Sequence, residues 1–493
     1  MDSATEHILM LPYMAQGHIR PFIELAHRLQ ARTETRTRTH FTITILTTPL
    51  NAELIRRQFT TTSTIQIAEL PFNAADHGLP AGVENTDKLP FPLVVNLFHA
   101  SSSLEPHLRH FIATRFSPCK PPLCIVFDVF LGWVDAVARS FGSTGVAFTT
   151  GGAYGTAAYL SLWLDLPHRN FSDDEDFPLP GFPENHRYRR SQLHRFLRYA
   201  DGSDQWSRFF QPQLRFSIGS LGWLCNSVEE IEPLGFEILR NYLKSPVWAV
   251  GPLIPDPPPV DKSSSSCDKC IQWLNSHKAD SVLYISFGSQ NTISPTQMME
   301  LAMGLELSGK PFLWVIRPPF GFDINGEFRL EWLPDGFEER VKNNNQGMLV
   351  HKWGPQMEIL GHESTGGFLS HCGWNSVLEG LREGLPMIAW PLAGEQAYNS
   401  KMLVEEMAVA VELTTGLEGK VTKEAVKRVV ELVLGREEGS GGEEMKKKAV
   451  EAGKKLRDAL REEEDGLGFK GSSIKAMDEF LDAIVSGRDR PAA

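Results

Sequence analysis

WGPQMEILGHESTGGFLSHCGWNSVLEGLREGLPMIAWPLAGEQ, residues Trp353 to Gln396, is the densest run of chemically informative residues in the chain. Gly367 to Ser370 reads as a short strand, His371-Cys372-Gly373-Trp374 as a tight turn, and Asn375-Ser376 as the N-cap of a helix that ends at Gly384. A strand, a glycine turn and a capped helix together present free backbone N–H groups and the positive end of a helix dipole, which is how diphosphates are held. His371, at the strand end, can donate one more hydrogen bond to a phosphate oxygen. The same pattern also suits a plain βα unit of a sheet, with Trp353 and Trp374 as core aromatics and Glu379 in solvent. Glycine turns alone do not separate the two. No GxGxxG follows a strand-like run, and no GxxxxGK followed by Ser or Thr occurs, which weighs against dinucleotide and P-loop readings.

Outward from this segment the βα rhythm continues. Val282 to Phe287, Phe312 to Ile316 and Met348 to Val350 read as strands, with Thr296 to Leu307 as a helix. In the first half, Ile8-Leu9-Met10-Leu11 reads as a strand, followed by Gly17-His18 and by a helix starting at Pro21 with Phe22, Leu25, Ala26 and Leu29 at helical spacing. Phe41 to Leu46 and Leu123 to Phe127 are further strands, the second a continuous apolar run of the kind buried in parallel sheets. Between the halves lies GPLIPDPPPVDKSSSS, whose prolines and serines exclude regular structure. The expected organisation is a domain over residues 1–251, a linker over 252–268, a second domain over 269–470, and a C-terminal helix and tail over 471–493 that packs back toward the first domain. The Glu-, Lys- and Gly-rich region Gly435 to Gly468 reads mostly as solvated helix and loop. Each half forms a doubly wound α/β domain, and the two face one another across a cleft at the carboxyl ends of their strands.

At 493 residues with 42% hydrophobic content the chain can bury two ordinary cores. A net charge of −12 argues against a general nucleic-acid binder but leaves room for one nucleotide, which needs only local donors. The polar start Met1 to His7 does not resemble a signal peptide, and no apolar run reaches the ~20 residues of a membrane span. A cytoplasmic protein without integral membrane association is expected. Six cysteines scattered through a long chain read as reduced thiols, and the lone pair Cys267 and Cys270 lacks the second pair of a zinc site. The sequon Asn170-Phe171-Ser172 matters only in a secreted chain.

The whole segment Trp353 to Gln396 resembles the donor-binding signature of plant family 1 UDP-dependent glycosyltransferases. It matches in length and in its order of Trp, Gln, His, Gly-Trp-Asn-Ser, Glu and a closing acid-Gln pair. The resemblance implies an α/β fold of two facing doubly wound, Rossmann-like domains (GT-B type) with an interdomain cleft. It also implies that Trp353 stacks on uracil beside Gly354 and Gln356, that His371, Asn375 and Ser376 hold the diphosphate, and that Glu379 accepts from the ribose hydroxyls. Trp374, Glu395 and Gln396 would select the sugar. Ser289, in the turn Phe287-Gly288-Ser289, would touch the diphosphate, and Thr150 the sugar's 6-hydroxyl. Gln396 with Trp374 resembles glucose-using members, where a His at that position would suggest galactose. Glu395 departs from the commoner Asp, which leaves the donor sugar open.

Transfer to a hydroxyl needs a base. His18 follows the first strand at the carboxyl edge of the sheet, where an isolated histidine is more often structural. Asp128 ends a strand at the same edge, so its carboxylate can orient the imidazole and stabilise the imidazolium. In the resembled family the equivalent His and Asp do this. Asp135, seven residues on in a predicted helix, reads as a capping or solvated acid. Helix N-terminal N–H groups at Asn375 and Ser376 can stabilise the departing UDP, so a metal-independent reaction without cofactor is expected, in which one displacement converts an α-linked UDP-sugar to a β-glycoside. Phe130, Tyr154, Tyr159 and Ala393 are candidate acceptor-facing residues, and a flavonoid or other phenolic is the expected acceptor, since a phenol suits both a histidine base and an apolar site. Another UDP-sugar, a terpenoid or hormone acceptor, a non-catalytic UDP-sugar-binding protein and a nicotinamide oxidoreductase are the alternatives. The expected partners are the small molecules alone, with the chain a monomer.

Overall fold

The strand Thr5–Leu11 shows why the first half folds as it does: Ile8, Leu9, Met10 and Leu11 are all fully buried, so both faces of the strand are covered and a parallel sheet with helices on each side is the architecture that results. The structure, a computed structural model, describes residues 5–36, 40–57, 59, 64–173, 175–255, 265–414, 419–462 and 470–488. Seven parallel strands form the first sheet in the order Gln66–Glu69, His40–Thr47, Thr5–Leu11, Cys124–Asp128, Thr144–Thr149, Trp223–Cys225 and Val247–Ala249. Six parallel strands form the second: Gly347–His351, Phe312–Ile316, Val282–Ser286, Thr365–Ser370, Met387–Ala389 and Ala410–Glu412.

In each sheet the first strand in sequence lies beside the fourth, and the strand order reverses there. Doubly wound folds bind ligands at this switch point, outside the carboxyl ends of the strands. The first switch point brings the segment after Leu11 next to Asp128, and the second brings the turn after Ser286 next to the turn after Ser370.

Four details depart from the sequence reading. The first helix begins at Gln16, not Pro21, and Pro21 sits inside it. Proline has no N–H, so the carbonyl of Gly17, its partner four residues back, is left without an intrahelical donor. The helix Trp374–Arg382 is preceded by Gly373 as its N-cap, and Asn375 and Ser376 lie in its first turn. Any Cβ at Gly373 would stand 2.5 Å from His371 Nε2, which accounts for glycine there. A helix begins at Ser265, within the segment expected to be linker, while residues 256–264 lie outside the described residues. Finally, the region expected to be solvated holds the helix Gly441–Ala459, which buries Ala449, Ala452, Gly453, Leu456 and Ala459. That stripe at three- and four-residue spacing lets the helix approach Trp374–Arg382 closely, and a Cβ at Gly453 would meet the Leu381 carbonyl at 2.5 Å.

The C-terminal helix Ser472–Arg488 places Met477, Phe480, Leu481 and Ile484 in one core with Trp248 and Val250 of the first half. Among the described residues, no helix is long and apolar enough to cross a membrane.

Candidate active site

His18 lies in the first turn of the helix Gln16–Arg36, and its Nδ1 is 2.7 Å from Asp128 Oδ2. Asp128 is fully buried at the end of Cys124–Asp128, and its other oxygen accepts from the Phe130 backbone N–H at 3.1 Å. Both carboxylate oxygens are thus engaged, which fixes the acid and, through it, the imidazole. Thr150 Oγ1 stands 3.3 Å from the same Nδ1. Burial favours the neutral imidazole, but the charge and hydrogen bond of Asp128, joined by the Glu395 carboxylate, outweigh it and hold the His18 pKa above the ordinary 6.5. With Nδ1 turned to the acid, Nε2 is the nitrogen that can take a proton. Asp135, expected to be a capping or solvated acid, is instead buried in the helix Trp133–Ser140 and pairs with Arg139 at 2.5 Å.

The second switch point is built differently. His371 follows Thr365–Ser370, is buried, and its Nδ1 has no hydrogen-bond partner. Burial pushes its pKa down to about 4, so the ring is neutral. Gly288, at φ +75°, lies against it, and a Cβ there would stand 2.8 Å from the ring. The turn continues into Ser289, whose carbonyl accepts from Arg317 at 2.6 Å. Cys372 takes a left-handed φ of 62°, steering the chain into Gly373 so that the first-turn N–H groups of Trp374–Arg382 face the cleft.

One turn further, Gln356 Nε2 donates to Glu379 Oε2 at 2.5 Å and to Ser376 Oγ at 3.3 Å, and its Oε1 accepts from the Tyr284 hydroxyl at 3.1 Å. Burial raises the Glu379 pKa, while Gln356 and Arg20 draw it back. Trp353 presents a 61% exposed ring beside this network, and Gly354 packs where a Cβ would stand 2.9 Å from Val315. Gln396 Oε1 accepts from the backbone N–H groups of Leu392 and Ala393 at 2.9 and 2.8 Å. Glu395, beside it, lies within reach of His18, and burial raises its pKa.

The halves meet at this site. Trp374 Nε1 donates to the Asn226 carbonyl at 2.6 Å, and Asn375 Nδ2 donates at 3.1 Å to the Gly17 carbonyl that Pro21 leaves open. Over 480 residues the chain is 40% identical to UDP-glycosyltransferase 92A1 of Arabidopsis thaliana, covering 97% of each.

The chain belongs to the plant family 1 UDP-glycosyltransferases.

The family model described as UDP-glucoronosyl and UDP-glucosyl transferase matches residues 261–438, the half that carries Trp353 to Gln396. Crocetin glucosyltransferase 3 of Crocus sativus is 45% identical over 451 residues, 89% of this chain and 93% of that protein. Among solved structures, UGT2 of Phytolacca americana in complex with UDP-2-fluoro-glucose and pterostilbene superposes with a TM-score of 0.77 at 28% identity, over 97% of this chain and all 100% of that one. Like these relatives, the protein is a glycosyltransferase that acts on small molecules, and its two parallel sheets are of the GT-B type.

In this plant UDP-glycosyltransferase an aromatic wall adjoins His18. Phe130 lies 5.4 Å from the His18 ring and 5.8 Å from Tyr159, and Tyr13 stacks on Phe98 at 4.5 Å. Phe130 and Tyr159 are therefore brought to the His18 side, and Ala393 lies in the loop bonded to Gln396. Tyr154 is not: it is buried, with its hydroxyl between His186 Nδ1 (3.2 Å) and the Tyr188 hydroxyl (3.1 Å).

Two residues carry no motif yet hold the Thr150 loop. Asn226, fully buried, donates to the Thr150 carbonyl at 3.2 Å and accepts from the Leu253 N–H at 2.8 Å. Glu232 accepts from the N–H groups of Ala153 and Tyr154, both at 3.0 Å, and from Ser227 Oγ; burial raises its pKa to about 7 against these hydrogen bonds. Only their burial in the folded chain distinguishes them from ordinary surface polar residues.

Proposed function

We propose that the protein transfers glucose from UDP-glucose to a hydroxyl of a small apolar acceptor, a flavonoid or another phenolic, by a single displacement that inverts the anomeric centre. His18 Nε2 takes the hydroxyl proton as the acceptor oxygen bonds to the anomeric carbon, and the bond from that carbon to the UDP oxygen breaks, giving a β-O-glycoside and UDP. Asp128 keeps Nδ1 protonated, so the imidazolium forms beside a carboxylate. Trp353, Gly354 and Gln356 hold the uracil, Glu379 the ribose, and Ser289, His371, Asn375 and Ser376 the diphosphate, with Thr150, Trp374, Glu395 and Gln396 around the sugar. Neutral donors and a helix N-terminus carry the phosphate charge, and no metal is assigned a part. On the same reading the protein is a cytoplasmic monomer.

The observation that carries this reading is the His18–Asp128 hydrogen bond of 2.7 Å at one switch point, facing the donor cradle at the other. The phenolic acceptor is supported by the aromatic wall of Phe130, Tyr159 and Phe98 and by the pterostilbene held by the Phytolacca americana structure. The name of the Crocus sativus relative puts crocetin on the acceptor panel as well. Purified protein mixed with UDP-glucose, a flavonoid panel, pterostilbene and crocetin, without added metal, is expected to release UDP and to yield a product heavier by one hexose. UDP-glucose binding with no turnover on any acceptor, with authentic substrates turned over by a control enzyme, would favour the non-catalytic alternative.

A further inference from the structure

Every group that the second half directs at the diphosphate is uncharged or acidic. His371 is neutral. Asn375 and Ser376 offer an amide, a hydroxyl and first-turn N–H groups, and the neighbouring Glu379 and Glu395 are acids that bring no positive charge. A helix N-terminus supplies only about half a positive charge, whereas a departing nucleoside diphosphate gains negative charge in the transition state. Arg317 is already committed, its guanidinium donating to the carbonyls of Ser289 at 2.6 Å and Lys352 at 3.1 Å.

A cation comes from the other half. The 3.1 Å hydrogen bond from Asn375 to the Gly17 carbonyl sets the first turn of Gln16–Arg36 against the first turn of Trp374–Arg382. Residues three and four apart on a helix share a face. Arg20, three residues after Gly17, and Glu379, four after Asn375, therefore lie one turn along from that contact. The charge of Arg20 is felt at Glu379 across the cleft. Arg20 itself is exposed, lies two residues from His18, and makes no hydrogen bond or ion pair among the described residues.

We propose that Arg20 is a donor-binding residue contributed by the acceptor half, its guanidinium engaging the diphosphate of the nucleotide sugar and stabilising UDP as it leaves. This rests on the reading of Trp353 to Gln396 as the nucleotide site. A planar guanidinium suits two phosphate oxygens at once, which an ammonium matches only as a point charge.

The test is calorimetric titration of the full chain with UDP and with uridine, which shares the base and ribose but has no phosphate. Arg20→Gln is expected to weaken UDP binding ~10- to 100-fold, the size of a charge-assisted hydrogen bond, while leaving uridine within about twofold of wild type. Arg20→Lys is expected to recover part of the loss. Unchanged UDP binding in Arg20→Gln would overturn the proposal, as would an equal loss for UDP and uridine. A wild-type protein that binds neither ligand would overturn the nucleotide reading on which the proposal stands.

Discussion

His18 and His371 stand at the switch points of two sheets with the same strand order, and their surroundings drive them in opposite directions. Beside the first, the fourth strand ends in the buried Asp128, so His18 keeps a pKa above 6.5 and a fixed orientation. Beside the second, no carboxylate partner is present among the described residues, Gly288 and Gly373 pack against the ring, and burial pushes its pKa down to about 4, so it is neutral. The lesson is that the scaffold sets where a histidine stands and a single neighbour sets what it can do. On the proposed function, one is the base that takes a proton and the other a neutral donor to phosphate.

The sharpest way to break the comparison is to remove each histidine's distinguishing feature. His18→Ala is expected to lower kcat by ~10²- to 10⁴-fold with UDP-glucose affinity close to wild type, since a positioned base acts on the chemical step. Undiminished turnover in this variant would remove His18 from the mechanism. Asp128→Asn takes away the charge that raises the His18 pKa, so the midpoint of the rate–pH profile is expected to move down, with a loss in kcat on the order of 10²-fold. An unmoved midpoint would separate the two residues. Gly373→Ala introduces a methyl 2.5 Å from His371 Nε2. Overpacking of this kind costs about 1–3 kcal/mol, expected here as roughly tenfold weaker UDP-glucose binding with kcat less affected. A variant with normal donor binding would show that the orientation of His371 is unimportant.

How much of this was legible in the sequence follows from the range of each signal. Trp353 to Gln396 is readable because its residues are fixed at short offsets along consecutive βα units. His18 and Asp128 are 110 residues apart, yet each follows or ends an apolar run, so parallel pairing alone puts them at one edge. Proline commonly opens a helix, which sets the expected start at Pro21, whereas here Pro21 lies inside the helix and opens a carbonyl to the other half. Asn375 and Ser376 looked like caps because Asn and Ser usually are; the close approach of His371 gives that place to Gly373. Tyr154 was indistinguishable from Tyr159 in sequence, since both lie on the helix Ala153–Asp165 and only tertiary packing turns one toward His186 and the other toward Phe130. Asn226 and Glu232 carry no local signal at all, because their partners are brought to them by the fold.

The pH dependence of turnover, measured beside that of UDP-glucose binding, tests the contrast between the two histidines most directly. Across about pH 5 to 8, where histidines titrate, kcat/KM for the acceptor is expected to rise as His18 loses its proton, with a midpoint above 6.5, because the base must be neutral to act and Asp128 holds it protonated to higher pH. UDP-glucose affinity is expected not to follow that titration, since His371 is already neutral through the range. A flat rate profile, or donor affinity titrating with the same midpoint as the rate, would contradict the assignment of one histidine to the proton and the other to the phosphate.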